Sequence, residues 1–146
     1  VDTDCPLAII ADDEMIERMR QIGEHIGISF QIKDDLFDYG LGGKIGKPTG
    51  NDIKEKKSTL PLIYALNNAD AATRKKMLRI VKRNSKNKKD VDEVINFVLN
   101  SGGIEYADQR MREIADGAIV ELQTLPESDA RDSLLELVRY TINREK

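Results

Sequence analysis

The chain has few of the side chains that carry redox, disulfide or zinc chemistry. Its 146 residues include one cysteine, Cys5, one histidine, His25, and no tryptophan. A lone cysteine cannot form an internal disulfide, which is typical of a reducing compartment, so we expect a cytoplasmic protein. Cys5 is interpreted as a small buried residue and His25 as a structural or solvent-facing one, and neither is taken as a catalytic group.

Long hydrophobic runs are also absent. No apolar segment approaches the roughly 18 residues that a membrane span needs. Residues 1–4 (V-D-T-D) have neither the basic nor the apolar part of a signal peptide. The chain begins with Val1 rather than methionine, which leads us to expect a piece of a longer protein. The net charge of −3 gives no reason to expect nucleic acid as a partner.

Apolar residues recur at helical intervals along the chain, and no strand or hairpin pattern competes with them. We therefore predict an all-α antiparallel bundle in a single domain, with short connections except for one glycine-rich loop. The first predicted helix begins after Asp12 or Asp13 and runs to about residue 39; the others span roughly 60–68, 70–86, 90–99, 104–125 and 128–143.

The first helix is long and should lie inside the domain. Its predicted inward stripe consists of Met15, Met19, Ile22, Ile26, Phe30 and Phe37. Gly23 and Gly27 sit four residues apart in its interior, where glycine is unfavourable. Because they remove side chains from one face, we expect a neighbour to approach closely there.

An acidic triplet, Asp34, Asp35 and Asp38, ends this helix and shares a face with Gln31. Two unit charges about 6 Å apart repel by roughly 3 kcal/mol at an effective dielectric near 20. Aspartates at a helix C-terminus also oppose the helix dipole. The triplet is therefore either a solvated helix end or a site for a hard cation, and oxygen ligands without His or Cys favour Mg²⁺ over Zn²⁺.

A glycine-rich loop follows the triplet over residues 40–58, with five lysines in or just after it: Lys44, Lys47, Lys54, Lys56 and Lys57. Glycine lets backbone N–H groups converge on an anion, and lysine adds a point charge. The P-loop pattern is absent and no strand precedes the loop. A flexible surface loop is the alternative, but adjacency to the aspartates favours a Mg²⁺–diphosphate site.

The motifs of this region resemble those of the all-trans polyprenyl (isoprenyl) diphosphate synthases. F-Q-I-K-D-D-L-F-D-Y resembles the second aspartate-rich motif of that family, and G-K-P-T-G-N-D-I-K-E-K-K-S-T-L-P-L-I resembles the segment that follows it in long-chain, octaprenyl-type members. The resemblance implies the isoprenoid synthase fold, with residues 1–146 as its C-terminal portion. The N-terminal half, which carries the first aspartate-rich motif, would precede Val1.

The resemblance also implies roles for single residues. Asp34 would be the direct Mg²⁺ ligand, and Asp35 and Asp38 would act through water or as second ligands. Lys47 would contact the allylic diphosphate, and Phe30 and Gln31 would line the cavity. Asp52 would order the loop, and the role of Lys57 is open. Arg139 and Arg144 would approach the isopentenyl diphosphate site, as basic C-termini do in some relatives.

The implied reaction is prenyl transfer. Mg²⁺ and Lys47 would stabilise the departing diphosphate of an allylic prenyl diphosphate, and isopentenyl diphosphate would attack the resulting cation. The family implies a homodimer, and this chain alone should be inactive because half of the metal site is missing. The alternatives are a non-catalytic helical subunit that partners a catalytic homologue, and a terpene cyclase-like protein. The T-L-P-L-I segment and the lack of N-S-x-x-x-E argue against the cyclase.

A basic stretch occupies the middle of the chain. It contains Arg74, Lys75, Lys76, Arg79, Lys82, Arg83, Lys86, Lys88 and Lys89. Such a stretch is more often a solvated face, and at most it predicts a peripheral contact with an anionic membrane surface.

Overall fold

The computed structural model describes residues 12–40, 50–83 and 87–145, and within these ranges the chain is all-α, as predicted. The helices are α1 (Asp13–Asp38), α2 (Asn51–Lys54), α3 (Leu60–Asn67), α4 (Ala71–Lys82), α5 (Lys88–Leu99), α6 (Gly103–Gln123) and α7 (Asp129–Asn143). The short helix α2 lies in the segment that the sequence predicts as loop. None of the helices in these ranges is long and apolar enough to cross a membrane.

Helix α1 begins where capping chemistry predicts. The Asp12 side chain accepts a hydrogen bond from the Met15 N–H at 2.8 Å, and Asp13 and Glu14 lie in the first turn, where the helix dipole favours negative charge. The helix ends at Asp38, just before Gly40, as expected. Its 26 residues run along α6, and α7 packs against both helices. Helix α1 therefore packs against two neighbours, α6 and α7.

The buried line of α1 differs from the predicted stripe. Ile22 is buried, but Met19 and Phe30 are 37% and 44% exposed. The fully buried Ser29 takes the inward position instead, where its hydroxyl donates to the His25 carbonyl at 2.9 Å. Because that bond satisfies the hydroxyl within its own helix, a serine can face α6, and a pattern of apolar residues alone misses it.

Two predicted helix boundaries are also wrong. Helix α4 ends at Lys82 rather than near residue 86. Helix α5 begins at Lys88, two residues before the predicted start, because the Asn87 side chain accepts from the Lys89 N–H at 3.1 Å and Asp90 falls in the first turn. In α1, a Cβ built on Gly23 or Gly27 would meet no described atom within 4 Å, so the close neighbour expected there is not found in the described ranges.

A close approach does occur where α6 starts. Gly103 packs against the first turn of α3, and a Cβ built on it would lie 2.5 Å from the Pro61 carbonyl oxygen. That oxygen belongs to the backbone of a buried residue, so it cannot move aside cheaply. Only glycine fits between α3 and α6 at this point.

We predict that Gly103→Ala lowers the free energy of unfolding by about 1–3 kcal/mol, because overpacking forces the two helices apart. Gly117→Ala in the same helix is the matched control, since a Cβ there meets nothing within 4 Å. It should raise stability by up to about 1 kcal/mol through helix propensity. Urea denaturation followed by circular dichroism measures both, and equal effects would contradict the close approach.

Candidate functional site

A polar cavity of about 450 Å³ lies where the C-terminal end of α1 meets α2. It is lined by Gln31, Asp34, Asp35, Phe37, Asp38, Asn51, Asp52 and Lys57. The structure thus brings together six of the eight residues predicted from the sequence. Of the other two, Phe30 does not line the cavity, and Lys47 falls outside the described residues together with Lys44.

Asp38 is buried and is used to hold the backbone of α2. Its Oδ1 accepts from the Asn51 N–H at 2.9 Å and its Oδ2 from the Asp52 N–H at 3.1 Å. Its carbonyl oxygen also accepts from the Gly50 N–H at 3.3 Å. Gly50, at the N-cap of α2, has a left-handed φ of 60° and no side chain with which to cap the helix. Asp38 supplies the cap from another helix. A direct metal role for Asp38 stays a prediction, and both oxygens already have donors.

A second contact joins the end of α1 to the start of α3. The Tyr39 hydroxyl and the Thr59 hydroxyl lie 2.8 Å apart in a buried hydrogen bond. Burial raises the pKa of Tyr39, so this phenol stays neutral. Asp38 and Tyr39 therefore fix α2 and α3 around the mouth of the cavity.

Asp34 is paired with an arginine from the other end of the chain. Arg144, which follows α7, places Nη2 2.5 Å from Asp34 Oδ1. Its guanidinium lies 4.0 Å from the centre of the Phe30 ring and 5.1 Å from that of Phe37. Only 15% of the Arg144 side chain is exposed, so the pair is shielded from water on one side. Phe30, predicted to line the cavity, thus supports the arginine.

Asp35 and Asp52 occupy places where negative charge is unfavourable. Burial raises the pKa of Asp35, and the charges of Asp52 and Asp34 raise it further, although Gln31 Nε2 donates to its Oδ1 at 3.0 Å. Burial also raises the pKa of Asp52, and the charge of Asp38 adds to the effect. Lys57 Nζ lies 3.5 Å from Asp52 Oδ1, but its side chain is 61% exposed and is nearer to Glu55.

The carboxylate oxygens of this cavity are the ligands that a hard cation prefers. Three carboxylates, Asp34, Asp35 and Asp52, line one cavity with no histidine or cysteine. Burial, and then the charge of neighbouring aspartates, raises the pKa of Asp35 and of Asp52. Within the described part of the chain, no three acidic, histidine or cysteine side chains are already grouped as metal ligands. Mg²⁺ does not need such a group, because it usually keeps several waters and binds one or two carboxylates together with substrate phosphates.

Arg144 is the residue whose place the sequence predicts least well. The basic C-terminus suggests a position at the isopentenyl diphosphate, and the structure instead pairs it with Asp34. The sequence did contain a signal for a cation at this place. Phe30 and Phe37 lie about one turn before and one turn after Asp34 on α1, so a cation paired with Asp34 can contact both rings. Arg139 is exposed on α7.

The chain matches a known family over most of its length. The family model described as "Polyprenyl synthetase" matches residues 5–98. Solanesyl diphosphate synthase 1 of Arabidopsis thaliana is 34% identical over 91% of this chain and 32% of its own. Octaprenyl diphosphate synthase of Escherichia coli K12 is 32% identical over 88% of this chain and 40% of its own. The chain therefore spans well under half the length of these relatives.

Solved structures show the same fold. Geranylgeranyl pyrophosphate synthase from Bacteroides thetaiotaomicron superposes with a TM-score of 0.82 at 36% identity, covering 95% of this chain and 44% of that one. A polyprenyl synthase from Caulobacter crescentus, complexed with calcium and isoprenyl diphosphate, gives 0.77 at 29% identity, covering 93% and 42%. The helices of this chain are thus arranged as in the isoprenoid synthase fold.

We predict that Asp38→Ala lowers the free energy of unfolding by about 2–3 kcal/mol, because two backbone N–H groups lose a buried acceptor. Asp35→Ala is the matched control from the same cavity and should change stability by no more than about 0.5 kcal/mol, or raise it. Thermal and urea unfolding in EDTA measure both. An Asp35→Ala variant as unstable as Asp38→Ala would show that the two carboxylates do not differ in this way.

Proposed function

The chain belongs to the polyprenyl synthetase family, and on that premise we propose that it is the C-terminal portion of a prenyltransferase. The full enzyme condenses isopentenyl diphosphate with an allylic prenyl diphosphate to give a trans-polyprenyl diphosphate. The observation that carries this proposal is the carboxylate cavity at the end of α1, in which Asp34, Asp35 and Asp52 meet. A divalent cation suits such a cavity, and a metal-bound diphosphate supplies the phosphate oxygens that complete the coordination of the ion.

Within this proposal each cavity residue has a distinct role. Asp34, Asp35 and Asp52 hold a divalent ion, Mg²⁺ by preference, which supplies charge neutralisation for the leaving diphosphate when bound. Gln31 holds Asp35 in position through their 3.0 Å hydrogen bond. Asp38 keeps α2 in place, so that Asp52 and Lys57 face the cavity. Lys47 is proposed as a contact to the allylic diphosphate, and Lys57 balances the charge of Asp52.

Arg144 is proposed as a counter-ion that keeps Asp34 neutralised. Its guanidinium bonds the carboxylate at 2.5 Å and is backed by Phe30. A divalent ion at Asp34 would then share this carboxylate with Arg144 or displace it. The outcome of this competition depends on the concentration of the divalent ion.

Assembly and location are further proposals. We propose a homodimer and a cytoplasmic location, as expected from the sequence. This chain by itself is proposed to be inactive, because its 146 residues hold a single D-D-x-x-D motif. A non-catalytic helical subunit is the second candidate, and that single motif is the observation in its favour. The cyclase alternative gains no support from the relatives described above, which are named as prenyl diphosphate synthases.

A chimera tests the proposed reaction. Residues 12–145 replace the aligned segment of the Bacteroides synthase, which is 36% identical. We expect the chimera to incorporate labelled isopentenyl diphosphate into prenyl product with Mg²⁺ and an allylic diphosphate. In it, Asp34→Asn should reduce the rate by about 100-fold or more, because the charge that anchors the metal-bound diphosphate is lost.

Asp116→Asn, at an exposed position of α6, is the control and should leave the rate unchanged. A folded chimera that is inactive, or an Asp34→Asn variant as active as its parent, would favour the non-catalytic subunit. The 146-residue chain alone should give no product. Condensation by that chain at the rate of a full-length synthase would refute the proposal that it holds only part of the active site.

Metal binding can be measured without turnover, by the loss of the free Mn²⁺ electron paramagnetic resonance signal on titration with the chain. We predict that Asp34→Asn weakens Mn²⁺ binding at least about ten-fold, since one of few carboxylate ligands is removed. Arg144→Gln should strengthen it by about three- to ten-fold, because the competing cation is gone. Unchanged affinity in Arg144→Gln would mean that the ion and the arginine do not share Asp34.

A further inference from the structure

Positive charge is concentrated in one part of this acidic chain. Residues 71–89 hold nine of the 23 Lys and Arg residues and none of the 26 Asp and Glu residues. The remaining residues therefore hold 14 basic and 26 acidic side chains, a net charge of −12, against +9 in this stretch. The chain is strongly polarised even though its net charge of −3 suggests nothing unusual.

Helix α4 turns most of this charge to the outside. Met77 is buried, and Ile80 and Val81 pack partly against the core, which fixes the inward side of the helix. The opposite side carries what we call the basic face, made of Arg74, Lys75, Arg79, Lys82 and Arg83. These residues line an open groove of about 530 Å³ together with Ala71 and Leu78.

Most of the basic face is available to a partner. Arg74 is used internally, because it donates to the carbonyls of Leu66, Asn67 and Ala69 and so caps the end of α3. Lys76, beside the face, pairs with Glu93. Lys75, Arg79, Lys82 and Arg83 form no ion pair with a carboxylate in the described ranges. Four uncompensated cations on one short helix raise the local potential and attract an extended anionic surface.

We propose that the basic face of α4 binds the surface of an anionic lipid bilayer. A bilayer is flat and can touch one helix, about 18 Å long at 1.5 Å per residue, while the acidic remainder of the chain stays in solvent. The apolar stems of lysine and arginine, with Ala71 and Leu78 between them, can lie against the headgroup region while the charges meet lipid phosphates.

Nucleic acid fits this surface less well. A long polyanion would also approach the rest of the chain, which carries a net charge of −12 and repels it. An apolar residue such as Leu78 has no role in a contact with a phosphate backbone. The inference goes beyond the proposed prenyl transfer and does not depend on it, because α4 contributes no residue to the carboxylate cavity.

Vesicle co-sedimentation tests the proposal with the chain itself. We expect binding to phosphatidylcholine vesicles that contain roughly a third phosphatidylglycerol, at least about ten-fold weaker binding to phosphatidylcholine alone, and loss of binding as salt rises from about 0.1 to 1 M and the Debye length falls from about 10 to 3 Å. Each basic residue near an anionic surface contributes about five-fold to the binding constant, so neutralising four should weaken binding by about two orders of magnitude or more.

The test variant replaces Lys75, Arg79, Lys82 and Arg83 with glutamine and keeps Arg74. The matched control removes the same number of charges from exposed positions elsewhere, by glutamine at Arg20, Lys56, Arg110 and Arg139. Glutamine has nearly the helix propensity of lysine and arginine, and circular dichroism verifies the fold of both variants. Loss of binding in the test variant with retention in the control supports the proposal.

Every other result counts against it. No binding to anionic vesicles at low salt, equal binding to neutral vesicles, or equal loss in both variants would refute it. Tighter binding to duplex DNA than to anionic vesicles at the same salt concentration would show that the basic face binds nucleic acid instead of lipid. Lipid-free self-association on a sizing column that only the test variant loses would assign a second copy of the chain. Prenyl transfer by the chimera is measured in a separate assay, so the proposed reaction and the proposed lipid binding can each fail without the other.

Discussion

The side chain of Asp38 determines the geometry of the whole polar end of this bundle. Helix α2 has four residues and begins at a glycine, so it has no cap of its own and little intrinsic stability. The two Asp38 oxygens bind its first N–H groups and so anchor α2 to the end of α1. Asn51, Asp52 and Lys57 face the cavity because of that anchor. An aspartate that the sequence predicts as a metal ligand thus also positions the residues that line the cavity beside it.

The fold was largely predictable, because helices need only local patterns. Asp12, Asp70 and Ser128 cap α1, α4 and α7 as their side chains predict. The errors have physical causes. Ser29 replaces Phe30 on the buried face because a hydroxyl bonded to its own helix is compatible with burial. Helix α2 was missed because its stability comes from a tertiary contact and not from its four residues.

Most of the predicted site residues line one cavity, but their contacts there could not be predicted from the sequence. Spacing on α1 places Gln31, Asp34 and Asp35 on one face, and the structure keeps them together with Asp52 in one cavity. Spacing cannot give the partner of Asp34, because Arg144 is 110 residues away in sequence. Nor can spacing predict that Asp38, unlike Asp34 and Asp35, accepts hydrogen bonds from the backbone of α2, since that depends on the position of α2 in the fold. The aspartates are equivalent in the motif, and tertiary contacts give each a different environment.

The position of Arg144 has a practical consequence for anyone who purifies or labels this chain. Arg144 lies two residues before Lys146, and its guanidinium packs against Phe30 beside the carboxylate cavity. A histidine tag or fluorescent fusion joined after Lys146 would therefore follow closely in sequence the arginine that pairs with Asp34. A polyhistidine sequence would also add metal ligands of its own at that point. Titrations made with a C-terminal tag would then report the tag as well as the protein, so metal binding is better measured on the untagged chain.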